Sequence, residues 1–182
     1  MTTIIIIAVV VLLVLWVISA QRKLVNAEEL AKNAMSQIGV QQSSRWDALT
    51  GLVELLKSYN EHEYNTLKDV IASRAGINSN STAAEAQAQE DLLGNVMQRL
   101  SVVVEQYPQL KADSMYQKTM DSVNTYENQV RMSRMVYNDS VTRYNRLIRQ
   151  IPDSIVAALF HFTEKQYLQE DSSKKDMPSL KV

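Results

Sequence analysis

The sequence predicts an all-α protein: an elongated antiparallel helical bundle, three long soluble helices plus a short C-terminal one, on a single N-terminal transmembrane helix. Three observations lead there. Only four Gly and three Pro occur in 182 residues, too few breakers for the many turns of a sandwich or barrel. From Tyr116 to Ile151, positions recur at three- and four-residue steps, which puts Tyr116, Thr119, Val123, Tyr126, Val130, Ser133, Tyr137, Val141, Tyr144, Ile148 and Ile151 on one seam. Such a heptad-like stripe, with one stutter between Tyr137 and Val141, needs partner helices to cover it. Finally, every residue from Ile4 to Ile18 is apolar and no side-chain charge occurs between Met1 and Gln21, just enough to cross a hydrocarbon core of ~30 Å.

That apolar run is the first element. Its β-branched Ile and Val would form a poor isolated helix in water, but lipid offers the backbone no other partner and enforces the helix. Trp16 suits an interfacial anchor. A cleaved signal peptide is the alternative, since Ser19 and Ala20 are small, but a signal peptide normally opens with a basic region and here Met1, Thr2 and Thr3 lead directly into the run. Arg22 and Lys23 follow the run, so the positive-inside rule puts the N-terminus outside and the body in the cytoplasm. The expected division is an anchor over 1–21, a bundle over 22–168 and a flexible tail over 169–182.

From Leu24 to Ala75 there is no Pro, and only Gly39 and Gly51 interrupt the pattern. Leu49, Leu52, Leu56 and Tyr59 form one seam and Leu30, Ala34 and Ile38 a weaker one, which predicts a single long helix bent near Gly39 to Ser44. The stretch from Gly76 to Thr82 breaks it: Gly76 suits the αL position past a helix end, and Ser81 or Thr82 can cap the next helix. That helix is predicted from Ala83 to Gln106, with Leu93, Val96, Leu100, Val103 and Tyr107 inward, and Pro108 ends it. A short connection opens the long helix and favours an antiparallel neighbour. Pro152 closes the long helix, and Ile155, Val156, Leu159, Phe160 and Phe162 are expected to fold back as a short helix over the bundle end.

The chemistry excluded is as informative. Without cysteine there is no disulfide, thiolate zinc site or cysteine nucleophile. A net charge of −1 gives no footprint for nucleic acid. The four glycines, at 39, 51, 76 and 94, are too dispersed for a nucleophile elbow, a phosphate loop or a dinucleotide fingerprint. His62 lies between Glu61 and Glu63, but Thr66 stands where a zinc-protease helix needs its second histidine, so a solvated helix face is expected and no metal or cofactor.

The residues Arg134-Met135-Val136-Tyr137-Asn138-Asp139-Ser140-Val141-Thr142-Arg143-Tyr144-Asn145, followed by Ile151-Pro152, resemble the repeated Tyr-Asn signature of the LemA family of bacterial membrane proteins. Tyr107-Pro108 with Leu110-Lys111-Ala112, Glu127-Asn128, Tyr59 with His62-Glu63, and Val70 through Arg74 are similar to further landmarks of that family. One departure is plain: where the family shows an Ile-Pro-Asn after an Arg-x-Asp, this chain has Arg45-Trp46-Asp47 and then Leu49-Thr50-Gly51, so a proline-set bend is not expected. The resemblance implies an N-terminal anchor in the bacterial inner membrane and an antiparallel bundle without established catalytic activity.

Two groups of side chains are candidates for function. Tyr137-Asn138 and Tyr144-Asn145 repeat at seven residues and so occupy equivalent helical positions, where they could set the register between helices or form a stripe for a ligand or partner. Arg131, Arg134, Arg143, Arg146 and Arg149 make the same region basic. The predicted neighbour carries Glu85, Glu90, Asp91 and Glu105 against Arg99, so the basic face is expected to pack beside it, with anionic lipid or phosphate as the alternative. The expected function is a structural or adaptor protein that assembles with itself or other membrane proteins, with the small seam Ala27, Ala31 and Ala34 admitting a partner helix. A membrane-tethered sensor binding a small ligand between helices is the rival.

Overall fold

The computed structural model describes residues 1–169, and those residues form an all-α bundle of six helices. The predicted tail, apart from Gln169, lies outside the described residues. Helix α1 (Thr2–Leu56) continues unbroken for 55 residues, about 80 Å at ~1.5 Å per residue. It passes from the apolar run into the bundle without interruption. Every residue from Thr2 to Leu15 is exposed, and this part of the helix is long and apolar enough to cross a membrane.

The predicted first soluble helix is corrected in its extent. It runs unbroken through Gly39 but does not reach Ala75: α1 stops at Leu56, and α2 (Glu61–Ala72) starts afresh. No Gly or Pro marks this break. It is built by Asn60, whose side chain accepts a hydrogen bond from the Glu63 N–H at 3.0 Å and so satisfies an orphan donor of the new helix. The reversal returns Tyr64, Leu67 and Ile71 to the core formed by Trp46, Leu49, Leu52, Val53 and Leu56. Gly76 is not left-handed, for no described glycine has a positive φ. The glycine that matters is Gly39: a Cβ there would come within 2.1 Å of the Ile77 carbonyl oxygen, because the connection after α2 crosses α1 at this point.

Helix α3 (Ala83–Gln106) begins where expected, with Thr82 and Glu85 forming a reciprocal capping box. Leu93, Val96, Leu100 and Val103 are buried, and Tyr107 sits against Tyr59 with ring centroids 6.0 Å apart. Pro108 then opens the single turn α4 (Pro108–Ala112), where its missing N–H costs nothing. Asp113 caps α5 (Ser114–Arg149), and Gln150 follows it.

Helix α5 runs back along α1, antiparallel to it. Near the tip Val123 joins the Leu49 and Leu52 cluster. At mid-length Tyr137 and Val141 pack on Ala31, Ala34, Met35 and Ile38. At the end nearest the apolar run Leu147 and Ile148 reach Ala20 and Leu24. The predicted seam holds through Tyr144, but Ile151 lies beyond the helix and is exposed. On α1, Leu30 points outward while Ala31 and Met35 are buried. The small residues Ala31 and Ala34 do admit close neighbours, yet these belong to the same chain: Ala83, Ala86, Tyr137, Val141 and Leu168. A cis Ile151–Pro152 peptide leads into α6 (Asp153–Leu159). The segment 162–169 then turns back along α5.

Candidate functional site

The Tyr-Asn repeat meets this returning segment. Asn145 donates through Nδ2 to the Lys165 carbonyl at 2.9 Å and accepts from the Lys165 N–H at 3.0 Å. Seven residues earlier Asn138 does the same for Leu168, at 3.0 and 2.9 Å. The tyrosine before each asparagine donates to a carbonyl: Tyr144 to Thr163 at 2.9 Å and Tyr137 to Gln166 at 3.1 Å. Arg134 donates to the Gln169 carbonyl at 2.6 Å and to Gln87 of α3 at 2.8 Å.

The spacing explains the match. Seven helical residues advance about 10.5 Å, and three chain residues cover that distance only when nearly fully extended, at ~3.3–3.6 Å each. A seven-residue repeat on α5 therefore reads a three-residue repeat on an extended strap. Each asparagine pairs with both backbone groups of one residue, as a neighbouring strand would. Such pairing recognises the peptide backbone and is indifferent to most side chains.

Specific contacts add to the backbone pairing. Leu168 is buried with Tyr137 and Val141. Lys165 bonds to Glu28 of α1 at 3.2 Å and lies over the Tyr144 ring, 5.4 Å from its centroid. Arg149 grips Glu164 through both carboxylate oxygens, its Nε at 2.7 Å, which lowers the Glu164 pKa and raises that of Arg149. Tyr144 is only 1% exposed; burial, with the nearby charge of Glu28 second, pushes its pKa up to about 12. Burial raises Tyr137 in the same direction.

Of the residues singled out in the sequence, the structure brings Tyr137, Asn138, Tyr144, Asn145 and Arg134 together on the strap. Their hydrogen bonds run to the strap, apart from the one that Arg134 makes to Gln87 of α3. Arg143 and Arg146 stand apart, both exposed. The expected pairing of the α5 arginines with acidic α3 is corrected: Glu90 of α3 faces α1, and Arg99 pairs with Glu63 of α2 at 3.0 Å. Trp16 is half-buried beside α6, while Arg22 and Lys23 are exposed just past the apolar run. His62 lies exposed on α2. Among the described residues, one surface depression is lined by Glu54, Tyr59, Leu110 and Asp113 and another by the connection after α2; neither opens onto the Tyr-Asn ladder.

One polar centre escaped the sequence reading. Arg45, 4% exposed, bonds to Glu90 at 2.8 Å and to Glu127 at 3.2 Å, tying α1, α3 and α5 together. Gln42 adds a bond to Glu90 at 3.3 Å. A signal was available: Ile38, Gln42, Arg45, Leu49, Leu52 and Leu56 follow alternating four- and three-residue steps, so a charge stands on the buried stripe and must be partnered there.

Two magnetosome proteins of Paramagnetospirillum magneticum, MamQ 1 and MamQ 2, are each 34% identical to the chain over 77 residues, 42% of the chain and 28% of those proteins. MamQ of Magnetospirillum gryphiswaldense is 31% identical over a stretch of the same length and coverage. The matched stretch is thus little more than a quarter of each relative. A family model matches residues 34–182, from the middle of α1 to the last residue, and so takes in the arginine centre, the Tyr-Asn ladder and the strap. The chain belongs to the LemA family.

Proposed function

We propose that this protein is a membrane-anchored, non-enzymatic adaptor whose bundle docks onto copies of itself or onto other membrane proteins. The observation that carries this reading is the outer face of α5. Met132, Met135, Val136, Asp139, Arg143 and Arg146 are all exposed, and at ~100° per residue they fall within an arc of about 100°. The inner face of α5 is already covered by α1 and the strap, so this outer stripe is what the helix offers to another molecule. Methionines adapt to irregular apolar partners, and arginines pair with carboxylates in a fixed fork. The stripe therefore fits a partner helix that is apolar along one stretch and acidic along the next. Arg22 and Lys23 support an orientation with the N-terminus outside and the bundle in the cytoplasm.

A photo-crosslinker at position 136 in intact cells tests the reading. It should capture a defined partner or a second copy, and adding Met132→Glu should abolish the capture. A strict monomer in detergent that crosslinks to nothing sinks the adaptor function. The sensor alternative has one feature in its favour, the continuity of α1 from the apolar run to the bundle tip, which would carry a shift between them. A bundle found outside the cytoplasm would favour it.

A further inference from the structure

Helix α6 buries only part of its surface. Val156 and Ala157 pack on Ala20 and Leu24 of α1, with Trp16, Val17, Leu147, Ile148 and Phe162 around them. On its other sides Ile155 is 61%, Leu159 65% and Phe160 48% exposed, and Ile151 just before it is 78% exposed. No charged side chain occurs from Ser154 to Phe160. Four large apolar residues are thus exposed between positions 151 and 160, a concentration that soluble surfaces rarely leave bare.

The position of the patch names its occupant. Trp16, Val17 and Ala20 are the last turns of the apolar run, so α6 lies beside the end of the membrane span, within about one helical turn of it. Arg22 and Lys23 ring the same level, and Lys23 pairs with Asp153 at the start of α6 at 4.0 Å. Exposed apolar side chains beside two cations and an interfacial tryptophan, at the end of the apolar run, match the boundary between acyl chains and headgroups. We infer that α6 is a second membrane contact, inserting Ile151, Ile155, Leu159 and Phe160 into that boundary. It thereby fixes the depth and tilt at which the rod leaves the bilayer. Because the strap starts immediately after α6, this contact also holds the near end of the segment that the Tyr-Asn ladder grips.

The inference rests on α1 being the anchor, and the test separates the two. The native chain has no cysteine, so single cysteines at 10, 102, 155 and 159 in the full-length protein can each carry a spin label in proteoliposomes of mixed neutral and anionic lipid. Collision with oxygen, which concentrates in lipid, is compared with collision with a water-soluble nickel chelate. Positions 155 and 159 should favour oxygen several-fold more than position 102, which is exposed on α3, and should resemble position 10. If position 10 reads as lipid while 155 and 159 read as water, the α6 contact is wrong and the anchor stands. If position 10 also reads as water, the anchor itself fails. Strong spin–spin broadening between labels at 159 would give the patch to a second copy of the chain and likewise overturn the inference.

Discussion

Removing the two asparagines of the ladder should free the strap while leaving the bundle folded. Asn145→Ala deletes the pair of hydrogen bonds to Lys165, at 2.9 and 3.0 Å, and Asn138→Ala the equivalent pair to Leu168. At about 0.5–1.5 kcal/mol net per bond, each substitution should weaken strap docking by roughly 1–3 kcal/mol. That corresponds to roughly a five- to 150-fold rise in local opening. Amide hydrogen exchange reads this opening directly: the Lys165 and Leu168 amides should exchange faster by that factor, whereas those of Leu49 and Leu52 in the tip core should not change. Tyr137→Phe and Tyr144→Phe keep the rings and lose one bond each, so their effects should be smaller. Leu168→Ala should release the strap too, by loss of packing. The reasoning is refuted if the double asparagine variant keeps native protection at 165 and 168 while Leu168→Ala loses it, since burial of Leu168 would then hold the strap alone.

Other substitutions probe other joints. Gly39→Ala raises helix propensity by about 1 kcal/mol, yet it places a methyl 2.1 Å from the Ile77 oxygen; a net loss of roughly 1–3 kcal/mol is expected, and a rise in melting temperature would contradict it. Arg45→Ala removes the cation that Glu90 and Glu127 share, while Arg131 still pairs with Glu127 at 3.6 Å. As both carboxylates are about a quarter exposed, the cost should be roughly 2–4 kcal/mol, below that of breaking a fully buried pair, measured by denaturant unfolding; a change within experimental error removes the arginine centre from the account. His161 holds φ at 59° and ends α6 in a Schellman arrangement, with the Phe162 N–H on Ala157 O and the His161 N–H on Ala158 O. His161→Gly should be neutral or stabilise by up to ~1 kcal/mol, and a large loss would show that the imidazole has a role of its own. The raised pKa of Tyr144, about 12, against ~10 in an unfolded chain, means that its contribution to stability is complete below pH ~10 and disappears as pH climbs through about 12. Tyr144→Phe should flatten that alkaline decline, followed by tyrosinate absorbance and helicity together.

How much of this was legible in the chain can be followed residue by residue. Periodicity located α5 and its buried positions, Val123, Val130, Tyr137, Val141 and Tyr144, because a helix in water must hide whichever face is apolar. The uncharged run before Arg22, the capping box at Thr82 and Glu85, and the stop at Pro108 were likewise local matters of solvation and backbone sterics. The same periodicity could not say what would cover each face. It assigned Ala27, Ala31 and Ala34 to a foreign helix, and it set the α5 arginines against α3. It treated Gly39 as a hinge and missed that a loop from almost forty residues away crosses there. The gap between α1 and α2 carried no breaker, because packing of Tyr64, Leu67 and Ile71 requires the reversal and Asn60 only makes it possible.

The Tyr-Asn repeat draws the line most clearly. Composition and spacing alone established that two identical polar pairs stand one above the other on a helix. Only the folded chain decided that they grip a strap beginning some twenty residues further on. A hydrogen-bonding side chain specifies the geometry of its partner and not its address in the sequence; the address depends on where α6 turns the chain, and that turn is set by contacts with α1, more than a hundred residues away.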